Sequence, residues 1–213
     1  MEQLTPEHAQ ALMRKYGIKM TQSRIAHTKT DVIKITKSLG TPIVMKLVSK
    51  KLVHKSDIGA VITSIHSESE AIDALNKLQR VSIKHNVRFE GALMQKQLQG
   101  NEVIIGAKRD PQFGPTVLFG LGGIFVEIIK DYSLRVAPVS TTESIDMIKE
   151  IKGLPILMGA RGKAKSNLWD IADTITKISK LMQKEKHVQE IDLNPCFSGD
   201  NCVAADVRVM VKQ

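Results

Sequence analysis

The sequence predicts an α+β fold of two lobes, on the basis of three observations. The chain has 213 residues, enough for one sizeable domain or two small ones. Its apolar content of 42% and charged content of 25% are typical of globular proteins. Strand-like and helix-like segments follow one another without strict alternation, which is typical of an α+β chain. We expect the two lobes to meet near residues 95–100.

The N-terminal part begins with a capped helix and leads to a strand pair. Thr5, followed by proline and glutamate, is a typical helix N-cap, and a second helical pattern ends at Gly40. The β-branched and apolar run 43–48 predicts a buried strand, and the run 60–65 predicts another. Residues 49–59 between them are polar and without period, so they predict a loop.

The remaining elements follow from capping residues and apolar runs. Ser67 with a glutamate three residues later predicts a capping box and a helix to about Lys84. The strand-like runs 90–97 and 102–108, separated by a Gln-Gly-Asn turn, predict a hairpin. Beyond a glycine-rich stretch, the sequence predicts a strand near Arg135, a helix at 143–149, a helix at 168–182 capped by Asn167, and closing strands at 188–193 and 203–209.

Composition excludes several classes of protein. The longest uncharged stretch, 111–126, has only 16 residues and contains several glycines, so it is too short and too broken to span a bilayer. The N-terminus has no secretory signal, and a cytoplasmic protein without membrane contact is expected. Cys196 and Cys202 have no companion cysteines or histidine pair, which predicts reduced, partly buried thiols rather than a zinc site. The net charge is +9, but the lysines are scattered and aromatics make up only 4%, so nucleic-acid binding is the least favoured interpretation.

Lys46 is unusual because it lies in the middle of a run that predicts a buried strand. One interpretation is an edge position with the amine in solvent, since lysines are rarely buried. The other is a phosphate ligand, because a buried ammonium group needs an anion.

His54, Lys55 and Asp57 crowd together before a glycine. A histidine taken alone most often packs or caps, so a structural role is one interpretation. The other is nucleophilic: an aspartate bonded to one ring nitrogen would leave the other free to attack phosphorus, giving a transient phosphohistidine.

Two further motifs fit a nucleotide site. The glycine-rich stretch 119–125 exposes backbone amides that suit an anion, although it also suits tight packing between strands. Asn194 and Asp206 fall on adjacent predicted strands and supply oxygen ligands suited to a magnesium ion that borrows its other ligands from phosphates. A turn at Asn194 and a solvated edge at Asp206 are the alternative.

Together these motifs resemble the ATP-grasp subunit of the ADP-forming acyl-CoA synthetases, which are related to the beta subunit of succinyl-CoA synthetase. The resemblance covers nearly the whole chain. Its motifs are Pro-Ile-Val-Met-Lys at 42–46, His-Lys-Ser-Asp-Ile-Gly-Ala at 54–60, Glu-Val-Ile-Ile-Gly at 102–106, Arg-Asp-Pro-Gln-Phe-Gly-Pro at 109–115, Phe-Gly-Leu-Gly-Gly-Ile-Phe-Val-Glu at 119–127 and Glu-Ile-Asp-Leu-Asn-Pro at 190–195. The family usually has a glycine where this chain has Ala60.

The resemblance implies an ATP-grasp fold that holds ATP or ADP and Mg²⁺ in a cleft between a small lobe, 20–96, and a large lobe, 1–19 with 97–213. It implies the following roles: Lys46 for the phosphates, the backbone around Met94, Gln95 and Gln97 for adenine, Glu102 for the ribose, Asn194 and Asp206 for magnesium, His54 as the phosphorylated histidine, and Lys55 and Asp57 beside it. It also brings Arg109, Glu127 and Arg135 into or near the cleft, without a derived role for each.

The implied reaction is reversible and converts acyl-CoA, ADP and phosphate into a carboxylic acid, CoA and ATP. A CoA-binding alpha subunit would be the partner, in an alpha2beta2 assembly or fused in one chain. A regulatory or acetyltransferase-associated module without turnover of its own is the alternative. Retention of His54, Asn194 and Asp206 together argues against it, since a scaffold has no physical need for a nucleophile and a metal pair.

Overall fold

The computed structural model describes residues 1–49, 58–123, 129–162 and 164–212. Contacts divide the chain into two compact units. The larger unit comprises Met1–Met20 and Leu98–Gln213, and the smaller unit comprises Thr21–Gln97. Across the described residues no helix is long and apolar enough to cross a membrane.

The helices and strands are as follows, in chain order: β1 Glu2–Gln3, α1 Pro6–Lys15, β2 Ser23–Ala26, α2 Lys29–Leu39, β3 Ile43–Leu47, β4 Val61–Ile65, α3 Glu68–Lys84, β5 Ala92–Lys96, β6 Asn101–Asp110, β7 Gly114–Leu121, β8 Tyr132–Val136, α4 Thr141–Glu150, α5 Leu154–Leu157, α6 Leu168–Lys184, β9 Val188–Ser198, β10 Cys202–Ala204 and β11 Arg208–Val211. The predicted mixture of helices and strands is confirmed. The three predicted N-caps are also confirmed, because the side chains of Thr5, Ser67 and Asn167 accept backbone N–H groups of the first turns that follow them. The capping box predicted at Ser67 is only half formed, since the carboxylate of the glutamate three residues later accepts the N–H of His66.

The smaller unit is built on an antiparallel sheet whose described strands have the order β2-β5-β3-β4. Helices α2 and α3 pack against each other and against this sheet. Apolar side chains from both helices and from the two inner strands form one core, with Val32, Leu75, Met45 and Met94 among its buried members.

The larger unit contains an antiparallel sheet in which the described strands have the order β1-β11-β9-β6-β7-β8, with β10 paired to β9. Alternation along the strands sends one set of side chains into a core shared with α1, α4 and α6, as Ile105, Phe119 and Leu193 show. Residues at the alternate positions of the same strands, such as Glu102 in β6 and Asn194 in β9, are exposed. Glu102 and Asn194 therefore belong to the face of this sheet opposite the buried one.

One predicted connection is wrong. The runs 90–97 and 102–108 do not form a hairpin, because β5 pairs with β2 and β3 whereas β6 pairs with β7 and β9. A tight turn between two strand-like runs indicates a reversal of the chain only if the strands pair with each other. Here Gln97–Gly100 instead connects the smaller unit to the larger one.

Both cysteines are free, as expected, and both are buried in the larger unit. Cys196 lies in β9 and Cys202 in β10. Burial is complete rather than partial, since the two thiols are 0% and 1% exposed.

Candidate functional site

Lys46 lies on an inner strand of the smaller unit. It is only 7% exposed, and β3 is flanked by β5 on one side and β4 on the other, with Lys46 opposite Leu93 and Val61. The interpretation of Lys46 as an edge residue with its amine in solvent is therefore wrong. A cation so little exposed to water is suited to binding an anion at the end of β3.

The segment with His54, Lys55 and Asp57 connects β3 to β4, but these three residues lie outside the described part of the chain, as does Glu127. The ends of the connection are described. The backbone N–H of Leu47 donates to the carbonyl of Ala60 over 2.9 Å, so the two strands that carry the segment lie side by side. Lys46 is the residue immediately before this bond.

Met94, Gln95 and Gln97, the predicted adenine segment, are closely integrated into the sheet of the smaller unit. Met94 and Gln95 are buried in β5, which pairs on both sides with β2 and β3. The backbone N–H of Gln97 donates to the carbonyl of Pro42 over 3.0 Å, and its side-chain Oε1 accepts the N–H of Ser64 over 2.7 Å. The side chain of Gln97 thus ties the end of β5 to β4.

Glu102 is an exposed residue at the start of β6 and lies against the glycine-rich segment. The backbone N–H of Gly122 donates to the carbonyl of Glu102 over 2.8 Å. A Cβ atom on Gly122 would lie 2.5 Å from Cγ of Glu102 and 3.0 Å from its carboxyl carbon. At Gly122 the glycine-rich stretch therefore permits a close approach of the Glu102 side chain, which is the packing interpretation of that motif.

Arg109 lies at the opposite end of β6 from Glu102. Arg109 follows Glu102 by seven positions, which corresponds to roughly 23 Å along a strand. The guanidinium group donates from Nη2 to the carbonyl of Met182 over 2.7 Å and from Nε to the carbonyl of Val188 over 3.3 Å. These contacts join the end of α6 to the start of β9, and they favour a structural role over the expected nucleotide contact.

The motif that follows Arg109 forms the turn of the β6–β7 hairpin. The carboxylate of Asp110 accepts the backbone N–H groups of Gln112 and Phe113 over 2.8 and 3.0 Å. These hydrogen bonds hold the pKa of Asp110 below its usual value, since they stabilise the ionised carboxylate. Arg135 pairs with Glu150 of α4, which again is a contact within the structural framework.

Of the predicted magnesium ligands, Asn194 lies in β9, whereas Asp206 lies between β10 and β11 and not within a strand as predicted. Ala204 lies opposite Cys196, and Arg208 lies opposite Asp192. Asn194 and Asp206 are midway between these pairs, so continuing the register across residues 205–207, which belong to no strand, brings the two positions opposite each other. A backbone bond of 2.9 Å from Ala205 to the carbonyl of Pro195 holds the two segments together at this point.

Asp192 is a further acidic residue of this region, and no role for it was expected from the sequence. It precedes Asn194 by two positions in β9, and burial raises its pKa, with the negative charges of Glu190 and Asp206 adding to the rise and Arg208 opposing it. The alternation of Glu190, Asp192 and Asn194 along one strand is the signal that could have identified it. Accumulated negative charge beside Asn194 and Asp206 suits a divalent cation.

The donor set fits magnesium of the kind that shares its coordination with phosphates. One amide and one carboxylate supply oxygen, the ligand type that magnesium prefers. In the described ranges no cluster of three or more histidine, cysteine, aspartate or glutamate side chains could hold a metal ion. Asn194 and Asp206 would thus provide part of the coordination, with phosphate oxygens and water completing it.

A family model described as an ATP-grasp domain matches residues 1–211. The chain is 40% identical over 212 residues to acetate–CoA ligase (ADP-forming) I subunit beta of Pyrococcus furiosus, covering 98% of this chain and 91% of that protein. It is 35% identical over 212 residues to 4-hydroxybutyrate–CoA ligase (ADP-forming) of Nitrosopumilus maritimus, covering 97% of this chain but only 30% of that longer protein.

Solved structures of a synthetase are also similar to this chain over nearly its whole length. The dinucleotide-forming acetyl-coenzyme A synthetase 1 of Ca. Korarchaeum cryptofilum, in complex with coenzyme A, Ca-AMPCP and HgCl⁺, superposes with a TM-score of 0.93 at 36% identity, covering 99% of this chain and 94% of that one. A second structure of that synthetase, with coenzyme A and Mg-AMPPCP, has its phosphohistidine segment pointing towards the nucleotide binding site; its TM-score is 0.84 at 34% identity, covering 99% of this chain and 93% of that one.

Proposed function

Because the chain belongs to the ATP-grasp family, in the branch formed by the beta subunits of ADP-forming acyl-CoA synthetases, we propose that it transfers a phosphoryl group reversibly between a histidine and ADP. The observation that carries this proposal is the register of β9 with β10 and β11, which when continued brings two oxygen donors, Asn194 and Asp206, opposite each other. The overall reaction is acyl-CoA, ADP and phosphate to carboxylic acid, CoA and ATP, and it runs in both directions.

The nucleotide contacts are assigned to both units. The smaller unit would act as the small ATP-grasp lobe and the larger unit as the large lobe. Lys46 would neutralise the phosphates, because its ammonium group is little exposed to water and therefore gains strongly from an anion. The backbone after Met94 and Gln95, up to Gln97, would contact adenine, and Glu102 would accept hydrogen bonds from the ribose hydroxyls.

Magnesium would be held by Asn194 and Asp206. When bound, the ion supplies positive charge that neutralises the phosphate oxygens during transfer. Asp206 already accepts the backbone N–H of Val207 over 2.9 Å, which orients its carboxylate within the chain. Asp192, two residues before Asn194, would add to the negative potential that attracts the cation.

His54 would carry the phosphoryl group. In the direction of ATP synthesis, the bond between phosphorus and the ring nitrogen breaks while an oxygen of the ADP β-phosphate forms the new bond, and neutral imidazole remains. Asp57 would orient the ring through its other nitrogen, and Lys55 would offset the phosphate charge. Lys46 lies in β3, one residue before the backbone bond from Leu47 to Ala60 that joins the two ends of the connection containing His54, and this position of the phosphate ligand supports the assignment.

A CoA-binding alpha subunit would complete the enzyme. The relative of the present chain from Pyrococcus furiosus is named as a beta subunit. The relative from Nitrosopumilus maritimus is about three times as long as the part that aligns with this chain. Both arrangements imply an additional CoA-binding portion, either separate in an alpha2beta2 assembly or fused. Cytoplasmic location is part of the same proposal, since the substrates are soluble metabolites.

The test is reconstitution with the alpha partner, an acyl phosphate, ADP and magnesium, following labelled phosphate on protein and nucleotide. We expect His54→Ala to abolish labelling of the chain and formation of ATP while nucleotide binding is retained. His85→Ala, which removes an exposed histidine at the end of α3, is the matched control. Undiminished ATP formation by His54→Ala would remove this histidine from the mechanism. Nucleotide binding without any transfer by the native chain would favour the regulatory module instead.

A further inference from the structure

The larger unit contains a basic pocket where the last turns of α1 and α6 come together. The pocket has a volume of about 520 Å³ and is lined by Lys15, Tyr16, Lys177, Lys180, Lys184 and Glu185. We call these six residues the lysine pocket. Four lysines and one glutamate give it a net charge of +3, and none of its residues belongs to the proposed nucleotide site.

The one carboxylate of the lysine pocket is already neutralised. Oε1 of Glu185 accepts hydrogen bonds from Nζ of Lys15 over 2.6 Å and from the phenol of Tyr16 over 2.9 Å. These bonds hold the pKa of Glu185 below its usual value, so it remains ionised and engaged at neutral pH. The negative charge of Glu185 is therefore paired with Lys15 and does little to balance the charges of the other lysines.

Lys177 also has local partners, whereas no side-chain hydrogen bond or ion pair to another described residue is found for Lys180 or Lys184. Nζ of Lys177 lies 2.5 Å from the carboxylate of Asp173 and donates to the carbonyl of Gly17 over 2.9 Å. Among the described residues, neither Lys180 nor Lys184 forms an ion pair, and both are exposed. Two uncompensated ammonium groups therefore remain on the rim of the lysine pocket.

The three lysines of α6 in the lysine pocket are regularly spaced, and the helix dipole accounts for only the last of them. Lys177, Lys180 and Lys184 are at positions i, i+3 and i+7, so they share one face of α6 and span about 10 Å along its axis. The negative end of the helix dipole favours a cation in the last turn, which accounts for Lys184. That effect fades within one turn, so it does not account for the whole row, and lysines four residues apart repel each other.

We propose that the lysine pocket binds a small polyphosphate anion. Its volume lies in the range of small-molecule sites, and a row of point charges along about 10 Å suits an anion with several linked phosphates rather than a single one. Binding would offset the repulsion between Lys180 and Lys184. The site is separate from the catalytic residues of the proposed function and does not depend on them.

Inorganic tripolyphosphate is the probe, titrated calorimetrically into the full chain in magnesium-free buffer. To exclude the nucleotide site, the same titration is made with a Lys46→Met, Asp206→Ala double variant, and binding should persist there. Lys180→Gln with Lys184→Gln should weaken binding about five- to tenfold, because two positive charges beside the anion are lost. Lys149→Gln with Lys152→Gln, which removes the same charge elsewhere in the larger unit, should leave the affinity unchanged.

A second variant distinguishes a ligand site from lysines that merely cap a helix. Glu185→Gln releases Lys15 from its carboxylate partner and so adds an uncompensated positive charge to the lysine pocket, and binding of tripolyphosphate should become stronger. Raising the salt concentration should weaken binding in the native chain. Loss of binding in the Lys46→Met, Asp206→Ala background, equal weakening by the two lysine pairs, or unchanged affinity in Lys180→Gln with Lys184→Gln would each overturn the proposal.

Discussion

The side chain of Glu102 lies directly against the α-carbon of Gly122, so that a Cβ atom at position 122 would be 2.5 Å from Cγ of Glu102. The two residues are also joined by a backbone hydrogen bond of 2.8 Å from Gly122 to Glu102. The end of β7 therefore fixes how the Glu102 carboxylate leaves the sheet. This contact gives the glycine-rich segment a function in positioning a residue proposed to hold the ribose.

Replacing Gly122 by alanine should disturb the proposed ribose contact. The added methyl group overlaps Glu102, so the carboxylate must move or the backbone must shift, which costs about 1–3 kcal/mol of stability. We expect nucleotide affinity to fall severalfold, measured by calorimetric titration with a non-hydrolysable ATP analogue. Gly199→Ala is the control, since its Cβ would meet only an ordinary contact of 3.9 Å. Equal affinities for the two variants would contradict the positioning role.

Replacing Asp206 by alanine should weaken nucleotide binding only when magnesium is present. The variant loses the charged member of the facing pair, and loss of a metal ligand is expected to reduce affinity by roughly tenfold or more. In excess chelator, the variant and the native chain should bind equally. Asp200→Ala removes an exposed carboxylate from the turn after β9 and serves as the control. An unchanged magnesium dependence in Asp206→Ala would refute the metal assignment.

Replacing Arg109 by methionine should affect stability rather than nucleotide binding. The guanidinium bonds to the carbonyls of Met182 and Val188 would be lost, at a cost of about 1–3 kcal/mol. Denaturant unfolding measures this loss, and Arg80→Met, at an exposed position of α3, should change stability by less than about 0.5 kcal/mol. A reduced nucleotide affinity in a stably folded Arg109→Met variant would restore the expectation drawn from the sequence.

Stability should depend on Glu185 at neutral pH and not at low pH. Hydrogen bonds from Lys15 and then from Tyr16 lower the pKa of Glu185 below its usual 4.5. Because the folded pKa is depressed, the stabilisation is present above pH 4.5 and is lost as the pH falls through the folded value. Lys15 is largely exposed, so the contribution is only about 1 kcal/mol. Unfolding of Glu185→Gln and the native chain, compared from pH 7 to pH 3, should therefore show a difference that disappears at the acid end.

The same cluster gives a prediction for alkaline solution. Burial and the bond to Glu185 raise the pKa of Tyr16 to about 12, above the usual 10.0. Because the folded pKa is raised, the stabilisation is present below pH 10 and is lost as the pH rises through about 12. Tyr16→Phe should be less stable than the native chain near pH 9. A stability difference that grows above pH 11 would contradict this sign.

Much of the fold could be predicted because its signals are local. Thr5, Ser67 and Asn167 are polar residues directly before amphipathic runs, and a helix N-cap needs no distant partner to be recognised. The pairing of the strands could not be predicted from such local signals. The apparent hairpin between β5 and β6 failed because the choice of partner depends on which strands are available across the whole chain, and β9 is about ninety residues further along.

The candidate site likewise contains features that local sequence could predict and features that depend on distant parts of the chain. The apolar residues around Lys46 predicted a buried strand but left open whether its amine reaches solvent, and the inner-strand position that decides this depends on β4 and β5. The sequence predicted Asn194 and Asp206 on adjacent strands, and the register of β9 with β10 and β11 agrees with neighbouring positions, whereas their binding of magnesium stays a prediction. The carbonyl partners of Arg109 could not be foreseen, because Met182 and Val188 reach it only through folding. His54, Lys55 and Asp57 remain predictions.

The larger unit is discontinuous in sequence, since β1 pairs with β11 and the segment Thr21–Gln97 intervenes. This arrangement has a consequence for biosynthesis. The smaller unit is continuous and has its own core, so it can complete its structure as soon as it has left the ribosome. Residues 1–20 must wait until β9 and β11 have been translated, so the larger unit is begun before the smaller one but closes after it.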